Sequence, residues 1–135
     1  MSRLVLTLPI VAFCQLPIAP SRSAELDGAW TTNKEACNIM FVESGGKRTF
    51  SPSPDLYGSG FIIDGKSIRG KAANCTIKSM KRQSDRFHIL AACATDIMLS
   101  DTQFDLTFKG DGRLTRSFRG MPEMSLDYFR CTDAR

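Results

Sequence analysis

His88 is the only histidine of the 135-residue chain, so any Ser-His-Asp or Cys-His machine would have to be built on it. Strand alternation puts it with Lys78, Met80 and Leu90, on the face opposite the neighbouring cysteines, and no nucleophile motif stands near it. It reads as an ordinary surface or half-buried histidine. Cysteine thiolates are the next candidates for nucleophile or metal ligand. Cys37, Cys75, Cys93 and Cys131 each have a structural use instead, and one histidine without a close cysteine pair fails the usual ligand spacings. The carboxylates Asp101 and Asp105 belong to a solvated face. No catalytic set, metal site or cofactor site is expected, and the chain is not expected to be an enzyme.

Positive charge is more concentrated. Lys66, Arg69, Lys71, Lys78, Lys81, Arg82 and Arg86 stand within one stretch that holds a single acid, Asp85. The bland account is a soluble outer face. The sharper one makes Lys66, Arg69, Lys71, Lys78, Arg82 and Arg86 a contact for an anionic envelope polymer or an acidic protein partner. The aromatic and basic residues are not interleaved as in a nucleic-acid groove, and no nucleic-acid partner is expected.

The compartment follows from the first residues. Met1-Ser2-Arg3 is cationic, residues 4–16 are almost wholly apolar, and Ser21-Arg22-Ser23-Ala24 supplies small residues for cleavage after Ser23. This is the layout of a signal peptide over residues 1–23, followed by one domain over residues 24–135. The apolar run, broken by Pro9 and Pro17, falls short of the roughly 20 residues of a spanning helix, so no transmembrane span is expected. Lipidation of Cys14 is opposed by Phe13, which stands where a lipoprotein signal needs a small residue. With Arg3 and Arg22 removed, 16 basic and 14 acidic residues leave a net charge of +2. A periplasmic or secreted monomer is the expectation.

In that oxidising setting four cysteines remain. Residues 74–82 and 86–94 read as strands about a turn at Gln83-Ser84-Asp85. Pairing Arg82 with Arg86 sets Ile77 opposite Ala91, Ser79 opposite Ile89, and Cys75 opposite Cys93. The expected bridges are therefore Cys75–Cys93 and, by remainder, Cys37–Cys131.

The other elements read as hairpins too. Residues 57–63 and 66–72 flank Asp64-Gly65, pairing Phe61 with Ile68 and Tyr57 with Ala72. Residues 103–109 alternate cleanly and return through Gly110-Asp111-Gly112 as residues 113–119, with Phe108 opposite Leu114 and Phe104 opposite Phe118. Residues 38–43 and 126–131 read as further strands, and residues 33–37 as the one candidate helical turn. The series predicts an all-β, small antiparallel up-and-down barrel of about eight strands. Its Phe61, Phe87, Phe104, Phe108, Phe118 and Phe129 are numerous enough to fill the interior, and a filled core is expected. Alternation carries Arg116 inward opposite Leu106. It must then stack over Trp30 at the barrel end, meet an anionic ligand in a cavity, or be turned out to solvent by a bulge.

Leu26-Asp27-Gly28-Ala29-Trp30 resembles the Gly-x-Trp opening of lipocalin-like barrels, including the small bacterial Inh-type inhibitors of secreted metalloproteases. The resemblance implies that Trp30 packs across the closed barrel end beneath a basic side chain from a late strand, Arg116 or Arg130. Trp30 and Arg116 are the barrel-closing candidates. It also implies an exported binding module, an inhibitor of a secreted or periplasmic hydrolase. The alternatives are a structural envelope protein, a binder of an anionic envelope polymer, and, last, a small-ligand carrier.

Overall fold

The computed structural model describes residues 24–52 and 59–132. The expected leader, Cys14 and Tyr57 of the expected Tyr57–Ala72 pair lie outside them. Ten strands form: β1 (Gly28–Thr31), β2 (Phe41–Ser44), β3 (Lys47–Phe50), β4 (Gly60–Asp64), β5 (Ser67–Arg69), β6 (Asn74–Gln83), β7 (Arg86–Ala94), β8 (Leu99–Gly110), β9 (Arg113–Phe118) and β10 (Met121–Cys131). Eight of them close an antiparallel barrel in the order β1-β10-β9-β8-β7-β6-β5-β4, while β2 and β3 make a separate hairpin. The barrel is thus an up-and-down meander with one excursion, between β1 and β4.

Turn chemistry sets the registers. At β6–β7 the turn is the two-residue Ser84-Asp85, with Ser84 in the left-handed region (φ 58°), and Gln83 pairs with Arg86. The expected three-residue loop is corrected. Cys75 still meets Cys93, and Ile77 meets Ala91, because Lys78 is left over as a bulge before Ser79 pairs with Leu90. Beyond that bulge the faces exchange, so Met80 and Arg82 turn inward rather than sharing the outer face with His88. The β8–β9 hairpin repeats the device. Asp111 and Gly112, both at positive φ, form a two-residue turn, and Lys109 is the extra residue between the Phe108–Leu114 and Gly110–Arg113 pairs. At β4–β5 the turn is Gly65-Lys66, so Ile63 rather than Phe61 meets Ile68. The inward faces are as alternation predicts, but the register has slipped by two.

Residues 38–40 are helical, not extended. Asn33 accepts a hydrogen bond from the Glu35 amide (3.1 Å), a 3₁₀ turn follows (Lys34–Ala36), and it runs into the single turn α1 (Cys37–Met40). Ala36 and Met40, four apart, are both buried. Met40, Phe41 and Phe50 cover Ala29, Ile62 and Cys131 on the barrel's outer side, a satellite core fastened by the Cys37–Cys131 disulfide. Gly60 permits this close approach: a Cβ there would lie 2.6 Å from Met40 Sδ and 2.7 Å from the Trp30 carbonyl oxygen. The Cys75–Cys93 bridge is formed as well, and its sulfurs point into the barrel.

The main core fills the barrel end where β1 begins. Leu26, Trp30, Ile63, Phe87, Ile89, Leu106, Leu114 and Tyr128 are buried there. Phe129 has the opposite parity, pairing with Thr31 and Arg113 while its neighbour Tyr128 points inward. It takes no part in the filling.

Candidate functional site

The two ends of the barrel differ. At one, the chain entering β1 forms a plug. Leu26 is fully buried and its carbonyl accepts a hydrogen bond from Trp30 Nε1 (2.8 Å). Asp27 accepts one from the Gly65 amide (3.0 Å). Arg130, directly across from Trp30 in the β1–β10 ladder, lays its guanidinium over the indole at 4.6 Å and donates to the Glu25 carbonyl. Gly28 (φ +138°) sits against the Arg130 stem, where a Cβ would come within 3.6 Å. Arg82 closes the same end, paired with Glu25 (2.9 Å), donating to the Ser84 carbonyl (2.8 Å) and lying over Phe87.

Arg116 is not part of this closure. It faces inward opposite Leu106, as parity requires, but further along the barrel, with its guanidinium carbon 4.6 Å from the Phe104 ring centre and 4.8 Å from that of Phe118. Arg130 holds the position over Trp30 because the register brings it there and leaves Arg116 opposite Leu126. Arg116 instead borders a cavity of about 280 Å³ at the opposite, open end. The cavity exists because the inward positions of its walls are small: Ala73, Cys75, Cys93, Ser100 and Thr102 stand among Phe61, Ile68, Phe104 and Tyr128. The barrel is therefore filled over one part and hollow over the other, contrary to the aromatic count. That row of small residues was the available signal.

Around the open end, Ile97, Met98, Leu99, Met121 and Met124 are exposed, Ile97 almost completely (95%). They follow from two connections at that end: the 95–98 loop, in which Thr95 Oγ1 accepts from the amides of Ile97 and Met98, and the β9–β10 turn.

The six cations of the candidate basic patch are divided. Lys66 in the β4–β5 turn and Arg86 beside the β6–β7 turn stand at the plugged end, where Arg82 is already paired. Arg69 is half-buried beneath the β2–β3 hairpin and donates to the Arg48 carbonyl (3.2 Å). Lys71 lies in the β5–β6 connection at the open end, and Lys78 pairs with Asp101 (3.1 Å) across the outer face. Adjacent strands run in opposite directions, so cations close in sequence reach opposite ends.

His88 Nδ1 lies 2.6 Å from Asp105 Oδ1 on the outer face. This pair depends on the β7–β8 register, which the sequence reading did not set. Across the sheet the row runs Lys81, His88, Asp105, Ser117. The carboxylate, not the imidazole, stands between the other two groups, whereas a nucleophile relay needs the imidazole between hydroxyl and carboxylate. Asp101 and Asp105 have separate partners, Lys78 and His88. Among the described residues no cluster of three His, Cys, Asp or Glu could hold a metal ion, and no helix is long and apolar enough to cross a membrane. No protein-family model, curated protein or solved structure matches the chain.

Proposed function

We propose that the protein is an exported, non-enzymatic binding barrel that takes a small ligand in the cavity at its open end. The observation that carries this reading is the asymmetry of the barrel. One end is sealed by Leu26, Trp30, Arg82 and Arg130, while the other keeps about 280 Å³ of lined space, near the lower limit of common ligand sites. Two disulfides suit an oxidising compartment, and one of them, Cys75–Cys93, lies in the cavity wall itself. The carrier reading, last among the alternatives in sequence, thereby moves ahead of the inhibitor. Thr102→Trp, which fills the cavity from β8, is the test. Native mass spectrometry of the protein isolated from its own source should find a small-molecule adduct that the variant loses. An adduct retained by a folded Thr102→Trp variant counts against the reading.

The exposed apolar rim favours a second reading, in which the open end docks against a protein, as an inhibitor of a secreted hydrolase would. Capture of a hydrolase by the wild type, lost on changing Ile97 and Met98 to Ser, is its expected outcome.

A further inference from the structure

We infer that the ligand of the cavity is a small amphiphilic anion, an apolar body ending in a single carboxylate-like group, and that Arg116 receives the charge. The inference rests on the reading of the open end as a ligand site. Among the described residues three arginines face the barrel interior. Arg82 is paired with Glu25, and Arg130 donates to the Glu25 carbonyl. Arg116 alone of the three has no acceptor for any of its nitrogens among the described residues; its Nε, like that of Arg130, is buried without a hydrogen-bond partner, but Arg130 keeps the Glu25 carbonyl. Phe104 and Phe118 stabilise its charge through their ring faces, but a ring accepts none of the guanidinium's in-plane donors in the way an oxygen does. Those donors form a rigid fork that matches the two oxygens of a carboxylate.

The rest of the lining agrees with that class. No acidic side chain lies among the described residues of the cavity walls, while Phe61, Ile68 and Tyr128 offer apolar surface for a ligand body. At about 30 Å³ for each water-sized unit, the space accepts roughly nine or ten non-hydrogen atoms. An anion without an apolar part would leave those walls unfilled, and a neutral amphiphile would leave the guanidinium as it stands.

The test titrates ¹⁵N-labelled protein with octanoate and, separately, with octan-1-ol, which has the same chain and no charge. Octanoate is expected to shift the amides of Thr102, Phe104 and Arg116 saturably and to bind at least about tenfold more tightly than the alcohol, the scale of one charge-assisted hydrogen bond. In Arg116→Met the two probes should bind alike. Equal affinity of both probes for the wild-type cavity overturns the anion assignment and leaves the cavity a ligand site. Shifts by neither probe overturn both. Octanoate shifts confined to the plugged end near Lys66 and Arg86 also overturn the assignment, since they report surface charge only. The wild-type comparison decides the matter even if Arg116→Met does not fold.

Discussion

Arg116 and Arg130 have the same chemistry and both point into the barrel, yet their neighbours give them opposite consequences for stability. Arg130 is held on three sides, by the Trp30 ring, the Glu25 carbonyl and the backbone at Gly28. A desolvated cation over an indole contributes up to about 2 kcal/mol, so Arg130→Ala should cost about 1–3 kcal/mol in urea unfolding. Much of that loss should vanish in a Trp30→Ala background, and additive losses would show that the stack contributes little. Arg116→Met is expected to leave the melting temperature unchanged or raise it, because it removes a partly desolvated charge with no acceptor. A marked fall would make Arg116 a structural residue. Parity made both arginines legible as inward, and Gly28-Ala29-Trp30 pointed to the end that one of them covers. What parity cannot give is height along the barrel axis, which depends on the stagger between β1, β10 and β9. That stagger combines two pairings, and the β1–β10 one joins strands far apart in sequence.

At the scale of elements, alternation and turn residues predicted the hairpins but misplaced their extra residues. Both at β6–β7 and at β8–β9 the chain prefers a two-residue turn and stores the odd residue as a bulge, Lys78 or Lys109. Primed two-residue turns follow the right-handed twist of the strands, and a bulge adds to it, so a small closed barrel favours the combination. Cys75 and Cys93 therefore face each other as the symmetry of the sequence suggests, although the residues between them are arranged differently. The bulge makes a distinctive prediction. Deleting Lys78 removes only the unpaired residue and its exposed contact with Asp101, leaving every other pair in register, at a cost of about 1 kcal/mol for the ion pair or less. Deleting His88 instead sets Cys93 opposite Thr76 and Cys75 opposite Ala94. Peptide mapping under non-reducing conditions should find Cys75–Cys93 intact in the first variant and lost or scrambled in the second. If both deletions keep the bridge, the bulge does not hold the spare residue. A second element-level test is Gly60→Ala. The Trp30 carbonyl oxygen in its way is backbone and cannot swing aside like Met40, so about 1–3 kcal/mol of destabilisation is expected on thermal unfolding. A neutral effect would mean that β1 and β4 separate easily there.

The whole molecule has two cores with different supports. The barrel core is enclosed by eight strands joined mostly through tight turns, and its contacts are largely between sequence neighbours. The satellite core formed by Met40, Phe41, Ile62 and Phe50 is small, lies outside the barrel, and depends on a connection that spans 94 residues from Cys37 to Cys131. Sequence could assign that bridge by remainder, but not the excursion it fastens, because residues 38–43 are apolar enough to pass for a strand throughout. In the loop-entropy account a bridge of this span contributes about 4 to 5 kcal/mol, more than the roughly 3 kcal/mol of the short one. Its removal should nevertheless be felt locally in the folded state. Arg48, which donates to the Cys131 carbonyl, and Arg69, which donates to the Arg48 carbonyl, are the polar ties that remain once the sulfurs are gone. Replacing Cys37 and Cys131 together with Ser is therefore expected to lower the melting temperature and to speed native-state hydrogen exchange at Ala36, Met40, Phe41 and Phe50. Amides of β7 and β8 should keep the highest protection in the molecule. The open-end cavity, walled by β4 to β10 rather than by the excursion, should then bind octanoate as before. Loss of protection in β7 and β8 equal to that in β2 and β3 would show instead that barrel and cover unfold as one unit, and that the long disulfide holds the cavity in shape from outside.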